Sequence, residues 1–318
     1  MTRVLKGIFF ILVATGFSQA QAEDAKTLRF KMNKLDKQIY ETKTSMKQEQ
    51  TLEVNGQKQT LETKFSTTSI DVHSLKKVIG ENIQIRTENK KLNVQSNIAQ
   101  LGDYAYDSES DENDSTSMLG ASLTPLFDVL NGAELSYTMT PQGEVTEYKS
   151  YQELLADALK NNPIATQFLS GGSEDSAKME LSQGFPFFSK KPVKKGDKWE
   201  QSIEVKMDKI GSAKGKRIFT YAGTETVKGV ELEKITVILE LTLNLDIKQG
   251  GSDVTGTLEV TESSGTFLFD NKKGRLVSSK LSIKTEGDLT VTAGGMEIPI
   301  ASSQTQTVNS KMLDKIPE

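Results

Sequence analysis

Residues 235–247 alternate without a break. Ile235, Val237, Leu239, Leu241, Leu243, Leu245 and Ile247 are apolar, and the positions between them are polar apart from Ile238. Only a strand with one buried face has this two-residue period. At ~3.3 Å per residue the run is about 43 Å long, roughly twice an ordinary strand. Strands of that length coil together, which bends a sheet towards a curved half-barrel or barrel. The same parity governs Trp199, Ile203, Val205 and Met207, and it returns at Phe219 and Tyr221, Leu258 and Val260, Phe267 and Phe269, Leu281 and Ile283, and Leu289 and Val291. Turn-forming residues separate these runs at 211–215, 228–229, 249–251, 271–274, 286–288 and 294–295. Short connections between alternating strands specify an antiparallel meander over residues 185–318.

Residues 23–116 read as a second, less regular β portion. Strands are expected at 40–50, 52–54, 61–70, 83–86 and 92–96, with Asn55-Gly56 as a hairpin turn. The period changes over 117–184. Leu119, Leu123, Leu126, Phe127 and Leu130 recur at helical spacing ahead of Gly132. Ser150 and Glu153 then form a capping box before Leu154, Leu155, Ala158 and Leu159, and Pro163 can open a further helix. This insert is mainly helical, with one strand expected at 134–147. The fold class is therefore mainly β with a helical insert (α+β), built as long antiparallel meanders in a curved sheet or half-barrel. Two motif pairs point to an internal duplication: 34–48 matches 194–208 in its Lys-x-Asp-Lys lead-in to a strand, and 132–150 matches 265–282 in two strands joined at Gly143 or Gly274. Chance similarity among Lys- and Thr-rich strands is the rival explanation.

The first 22 residues read as a signal peptide. Arg3 and Lys6 precede an apolar run at 7–17, and Ala20-Gln21-Ala22 supplies a small-x-small cleavage site before Glu23. The run is shorter than the ~20 residues of a membrane span, so no transmembrane segment is expected after cleavage. The chain contains no cysteine, which removes disulfides, thiolate chemistry and lipidation at cysteine. Export to a bacterial periplasm or exterior is the expected localisation. With 39 basic and 43 acidic residues the chain is mildly acidic, so no nucleic-acid partner is expected.

Catalytic groupings are scarce. His73 is the sole histidine, lies in a Thr- and Ser-rich run and has no nucleophile motif beside it, so it reads as a surface residue. No cofactor is expected. The acidic loop at 103–115 begins like a calcium loop at Asp107, Glu109 and Asp111, but Glu112 stands where such loops need glycine and Met118 where they need glutamate. A solvated acidic loop is the better reading. Residues 185–201, FPFFSKKPVKKGDKWEQ, hold three phenylalanines, two prolines and the single tryptophan, Trp199. The prolines and lysines make this a connection into a strand. Its aromatics serve either as a plug packing the insert onto the sheet or as the lip of an apolar cavity.

The stretches KPVKKGDKWE (191–200), GAELSYTMTPQGEV (132–145) and GTFLFDNKKGRL (265–276) resemble an uncharacterised family of bacterial secreted proteins with a signal peptide and a β-rich body. The resemblance implies a fold and supplies no catalytic residue or ligand. A looser, fold-level similarity is to periplasmic lipid and lipoprotein carriers, whose curved sheet encloses acyl chains beneath helices. Two functional classes stay open. One is a non-enzymatic envelope protein binding a lipid-like ligand or a protein partner on the inward strand faces near Trp199, Leu241 and Phe267. The other is a structural or assembly protein with a fully packed interior.

Overall fold

The computed structural model of the chain describes residues 24–54, 56–149, 174–207, 210–249 and 252–317. The signal-peptide reading and the helices expected around Ser150 and Pro163 lie outside these residues. Twelve strands form one antiparallel sheet: β1 (Lys37–Val54), β2 (Gln57–Ile79), β3 (Asn82–Ile98), β4 (Gly102–Asp107), β5 (Glu134–Met139), β6 (Val145–Lys149), β7 (Lys198–Met207), β8 (Gly211–Val227), β9 (Val230–Gln249), β10 (Ser252–Asp270), β11 (Arg275–Ala293) and β12 (Met296–Leu313). Among the described residues two helices accompany them, α1 (Met118–Leu130) and α2 (Glu174–Gln183). The spatial order is β6-β5-β3-β2-β1-β12-β11-β10-β9-β8-β7, with β4 also paired to β3, and the sheet curves without closing.

The strands outrun their sequence signals. The segments expected at 40–50 and 52–54 are one strand, β1, and those at 83–86 and 92–96 are one strand, β3, which continues through a register shift beside Asn89 and Lys91. The single strand expected at 134–147 is two, β5 and β6, paired as a hairpin with Gly143 at φ 91° in its turn. The two β portions are one sheet, because β1 pairs along its length with β12.

The paired motifs occupy equivalent places in two five-stranded meanders, β1-β2-β3-β5-β6 and β7-β8-β9-β10-β11. Both lead-in turns are closed in the same way. Asp36 Oδ2 accepts a hydrogen bond from Asn33 N at 2.9 Å, and Asp197 Oδ2 accepts one from Lys194 N at 2.8 Å. The chain of β4 and α1 is inserted between the third and fourth strands of the first meander, and β12 joins the two meanders.

One face of the sheet is concave and carries the apolar side chains. Glycines inside the strands permit the bend: a Cβ on Gly215 would meet Glu240 O at 2.0 Å, and one on Gly287 would meet Thr257 O at 2.0 Å. Any larger residue there would push the neighbouring strand away. At one end of the strands the concavity is filled by two extended segments, 24–36 and 184–196, which bridge to each other at Lys26 and Val193. The two glycine turns hold the first segment between them, since Phe30 N donates to Pro141 O at 2.8 Å and Lys31 N to Gly274 O at 2.9 Å. Leu28, Phe30 and Met32 thereby join Phe185, Phe188 and Val193 in a core with Tyr40, Ile85, Tyr137, Phe219, Ile235, Phe267 and Phe269. Phe188 stacks on Phe30 at 5.0 Å and meets Phe269 edge to face at 4.6 Å.

Helix α1 covers the far end of β3 and β4. Ser117 Oγ caps it by accepting from Gly120 N at 2.9 Å, and Gly132 follows its C-terminus at φ 78°. Its Leu119, Leu123, Leu126 and Phe127 pack on Val94, Tyr104 and Tyr106.

Candidate functional site

Three zones succeed one another along the concave face of β7–β11. The filled core end comes first. Trp199 lies there on β7, half-buried, stacked on Phe219 at 5.8 Å and 12°, with Nε1 donating to Phe187 O at 2.5 Å. Phe267 is fully buried in the same core. The aromatics of 185–188 pack against it, so in this structure they form the plug rather than an open lip.

The middle zone is polar within apolar walls. Arg217 on β8 is 5% exposed. Its Nε and Nη2 donate to Gln201 Oε1, and its Nη1 donates to Ser182 O at 2.6 Å and Phe185 O at 3.3 Å. The guanidinium carbon lies 5.2 Å from the Phe219 ring centre. Burial pushes this group down from its ordinary value to about 10. A cavity of about 20 Å³ adjoins it, lined also by Gln183, Val237, Leu239, Ser263 and Phe267. The β9–β10 ladder is interrupted at this level: pairing stops at Glu259 with Thr242 and resumes at Gly265 with Val237. Ser263 Oγ fills the gap by donating to Leu239 O and accepting from Leu239 N, both at 2.8 Å.

The third zone is an apolar stripe. Leu241 is buried beside Met207, Ala213 and Leu239. Beyond it Leu243, Leu245 and Ile247 on β9, with Val254, Leu258 and Val260 on β10 and Val291 on β11, are only half-buried. Register brings them edge to edge, Leu243 beside Leu258, and Val254 between Ile247 and Val291. The opposite face of the same strands carries Asn244, Asp246, Lys248, Asp253, Thr255 and Thr257, all exposed. The stripe meets polar concave residues midway along the seam, Gln48 on β1 and Gln304 and Gln306 on β12, but at its far end it runs on across the seam, since Val291 pairs with Ile298, Leu289 with Ile300 and Ile300 with Leu52. Of the three residues expected at a ligand site, Trp199 and Phe267 belong to the filled core end, Trp199 on its edge strand, while Leu241 lies in the neighbouring cluster, three inward positions along β9 from Ile235, the partner of Phe267.

His73 is not on the outer surface. The pairing of Tyr40 with Asp71 turns the odd residues of β2 inward, and His73 faces Tyr40, Tyr137 and Phe185 with ring centres at 5.0, 6.3 and 6.4 Å. Its Nδ1 lies 3.4 Å from Tyr137 Oη, and burial lowers its pKa to about 4 against a smaller upward pull from Asp71. The polar sequence around His73 hid this, because only register assigns the face.

The acidic loop folds on itself. Asp107 Oδ1 accepts from Glu109 N at 2.9 Å, Asn113 Nδ2 donates to Asp107 O at 2.8 Å, and the Glu109 carboxylate pairs with Lys91 at 2.7 Å. Asp111 is exposed, and the three carboxylates do not converge. Among the described residues no group of three His, Cys, Asp or Glu is placed to hold a metal ion. None of the helices among those residues is long and apolar enough to cross a membrane.

Fold and site define an open antiparallel trough, plugged at one end and apolar along part of the other. The chain belongs to DUF6263, a family of unknown function whose model matches residues 80–276. No curated protein matches it. Among solved structures it is similar to lipovitellin, in a structure describing lipid–protein interactions, at 8% identity over 88% of this chain and 26% of that chain, TM-score 0.38. An outer membrane channel from Pseudomonas putida F1 is similar at 6% identity over 92% and 98% of the two chains, TM-score 0.23. A DUF1329 family protein from Desulfovibrio piger is similar at 6% identity over 86% and 87%, TM-score 0.18. The chain spans about a quarter of the lipovitellin chain. None of these likenesses carries a ligand or an activity over to this protein.

Proposed function

We propose that this is a non-enzymatic exported protein of the bacterial envelope that holds an apolar ligand on the concave face of its sheet. One observation carries the reading. Leu243, Leu245, Ile247, Val254, Leu258 and Val291 form a contiguous stripe that is only half-buried although it lies on the inward face. A contiguous apolar patch left in contact with water marks a binding surface more often than a fold requirement. The signal-like residues 1–22 support export, and the absence of cysteine together with the embedded position of the sole histidine supports a role without chemistry.

A structural or assembly role is the second reading, and the filled core end favours it. The cavities beside Arg217 and beside His73, about 20 and 10 Å³, are too small for a ligand chain. Native mass spectrometry of protein purified from its own host separates the two. A co-purifying lipid-sized mass, lost on delipidation, is the expected result. A bare polypeptide mass, with no saturable binding of a fluorescent fatty acid after delipidation, selects the assembly role. N-terminal sequencing is expected to start at Glu23; material retaining Met1 overturns export by a cleaved signal.

A further inference from the structure

We infer that Arg217 anchors the carboxylate of a single-chain fatty acid whose tail lies along the stripe from Leu239 to Ile247. The inference rests on the apolar-ligand reading above and specifies the ligand's class and orientation. Arg217 points into the face of an apolar sheet, and no carboxylate of the described residues lies within ion-pair distance of it. A buried charge without a counter-charge is destabilising, so proteins keep one mainly where something meets it. The Ser182 carbonyl in the last turn of α2, together with Phe185 O, meets part of the charge. A guanidinium carries five N–H donors, and the four bonds described leave one of them on Nη2.

The surroundings fit a carboxylate. A cavity of about 20 Å³ exceeds the ~10–15 Å³ that one water-sized group requires, which leaves room for an oxygen beside the remaining donor. It opens where the β9–β10 ladder is interrupted, and bulges of this kind commonly border binding sites. From there the inward residues of β9 continue on one face for about 26 Å at ~3.3 Å per residue, Leu239 and Leu241 buried in a cluster against which Met179 of α2 packs, and Leu243, Leu245 and Ile247 half-buried beyond it. The arrangement thus offers one cation at the closed end of an apolar track.

The test is titration of delipidated full-length mature protein with oleate and with oleyl alcohol, each competing against cis-parinaric acid, with Trp199 emission as a second readout. Oleate is expected to bind saturably, and the alcohol at least ~10-fold more weakly, as a charged hydrogen bond requires. Arg217→Met, confirmed as folded by circular dichroism, is expected to bring the two ligands to equal affinity. Should Arg217→Met fail to fold, Leu245→Asp is the second variant: it puts a carboxylate beside the tail, and oleate affinity should fall at least ~10-fold with little change in Tm. Equal affinity of acid and alcohol for the unmodified protein overturns the role of Arg217 and leaves the apolar-ligand reading standing. Tighter binding of dodecyl phosphate than of laurate overturns the carboxylate assignment. No saturable binding of any of these overturns both inferences.

Discussion

The two ends of the same strands make an instructive contrast. On β9, Ile235 and Leu245 belong to one uninterrupted alternation and face the same way, yet Ile235 is fully buried and Leu245 is half-buried. The difference lies outside the strand. At the core end, Phe30, Phe185 and Phe188 descend from two extended segments and fill the concavity, while along the stripe the described residues provide less cover, with Met179 of α2 packed at its near end, on the cluster of Leu239 and Leu241. Alternation therefore specifies which face is apolar, and a distant segment decides whether that face becomes core or surface.

Four measurements break or sharpen this contrast. Phe267→Ala at the filled end removes a ring with no exposure and is expected to destabilise by about 4 kcal/mol, seen as a large fall in the denaturation midpoint. A shift as small as that of a surface substitution would mean that the plug does not pack there.

The second measurement is stability against pH. The folded imidazole of His73 has a pKa of about 4 against an ordinary 6.5, so the unfolded chain takes up the proton first. Stability contributed by the neutral ring is full above pH 6.5, is lost as pH falls towards 4, and levels off below that, by about 2 kcal/mol for a ring that retains some exposure. His73→Gln is expected to remove this part of the slope while leaving that of the carboxylates. Parallel pH profiles for the two proteins would mean that the ring is freely hydrated.

On the stripe, Leu245→Ala is expected to cost only about 1 kcal/mol, because much of that side chain already meets water, and to weaken fatty-acid binding more than it lowers Tm. A loss equal to that of Phe267→Ala would show the stripe to be core. Smallest of all, Thr242→Lys on the convex face is expected to stay within about 0.5 kcal/mol. A large loss there would show the face assignment of β9 to be reversed.

Much of this was legible. The alternation at 235–247 located β9 and its buried face, Leu119 to Leu130 located α1, and Gly143 and Gly274 marked turns that prove to hold the same segment. What sequence could not supply was pairing between distant segments. The seam strands β1 and β12 carry Thr, Gln and Ser inward, so their apolar period is weak and gave no sign that the two β portions join. Residues 24–36 carry only a three-step alternation, Leu28, Phe30 and Met32 between Thr27, Arg29, Lys31 and Asn33, which marks an extended segment but gives no sign that it lies as a plug inside the sheet. Arg217 was passed over as one more polar strand residue. Its partner Phe219 and its parity with Tyr221 were the available signal, since both place it on the inward face.

The seam also sets an order of events. Ile39 pairs with Leu313, about 270 positions away, and all of β1 meets β12 in this manner. Each meander can assemble from hairpins of near neighbours, but the centre of the sheet waits for β12 to emerge and find β1. Contacts of such range slow folding, since the loop must close before it is rewarded. Until then β1 and β11 present long unpaired edges, the surfaces by which β proteins aggregate. A chain arranged in this way gains most from a folding helper before β12 is in place, when two finished halves await the strand that unites them.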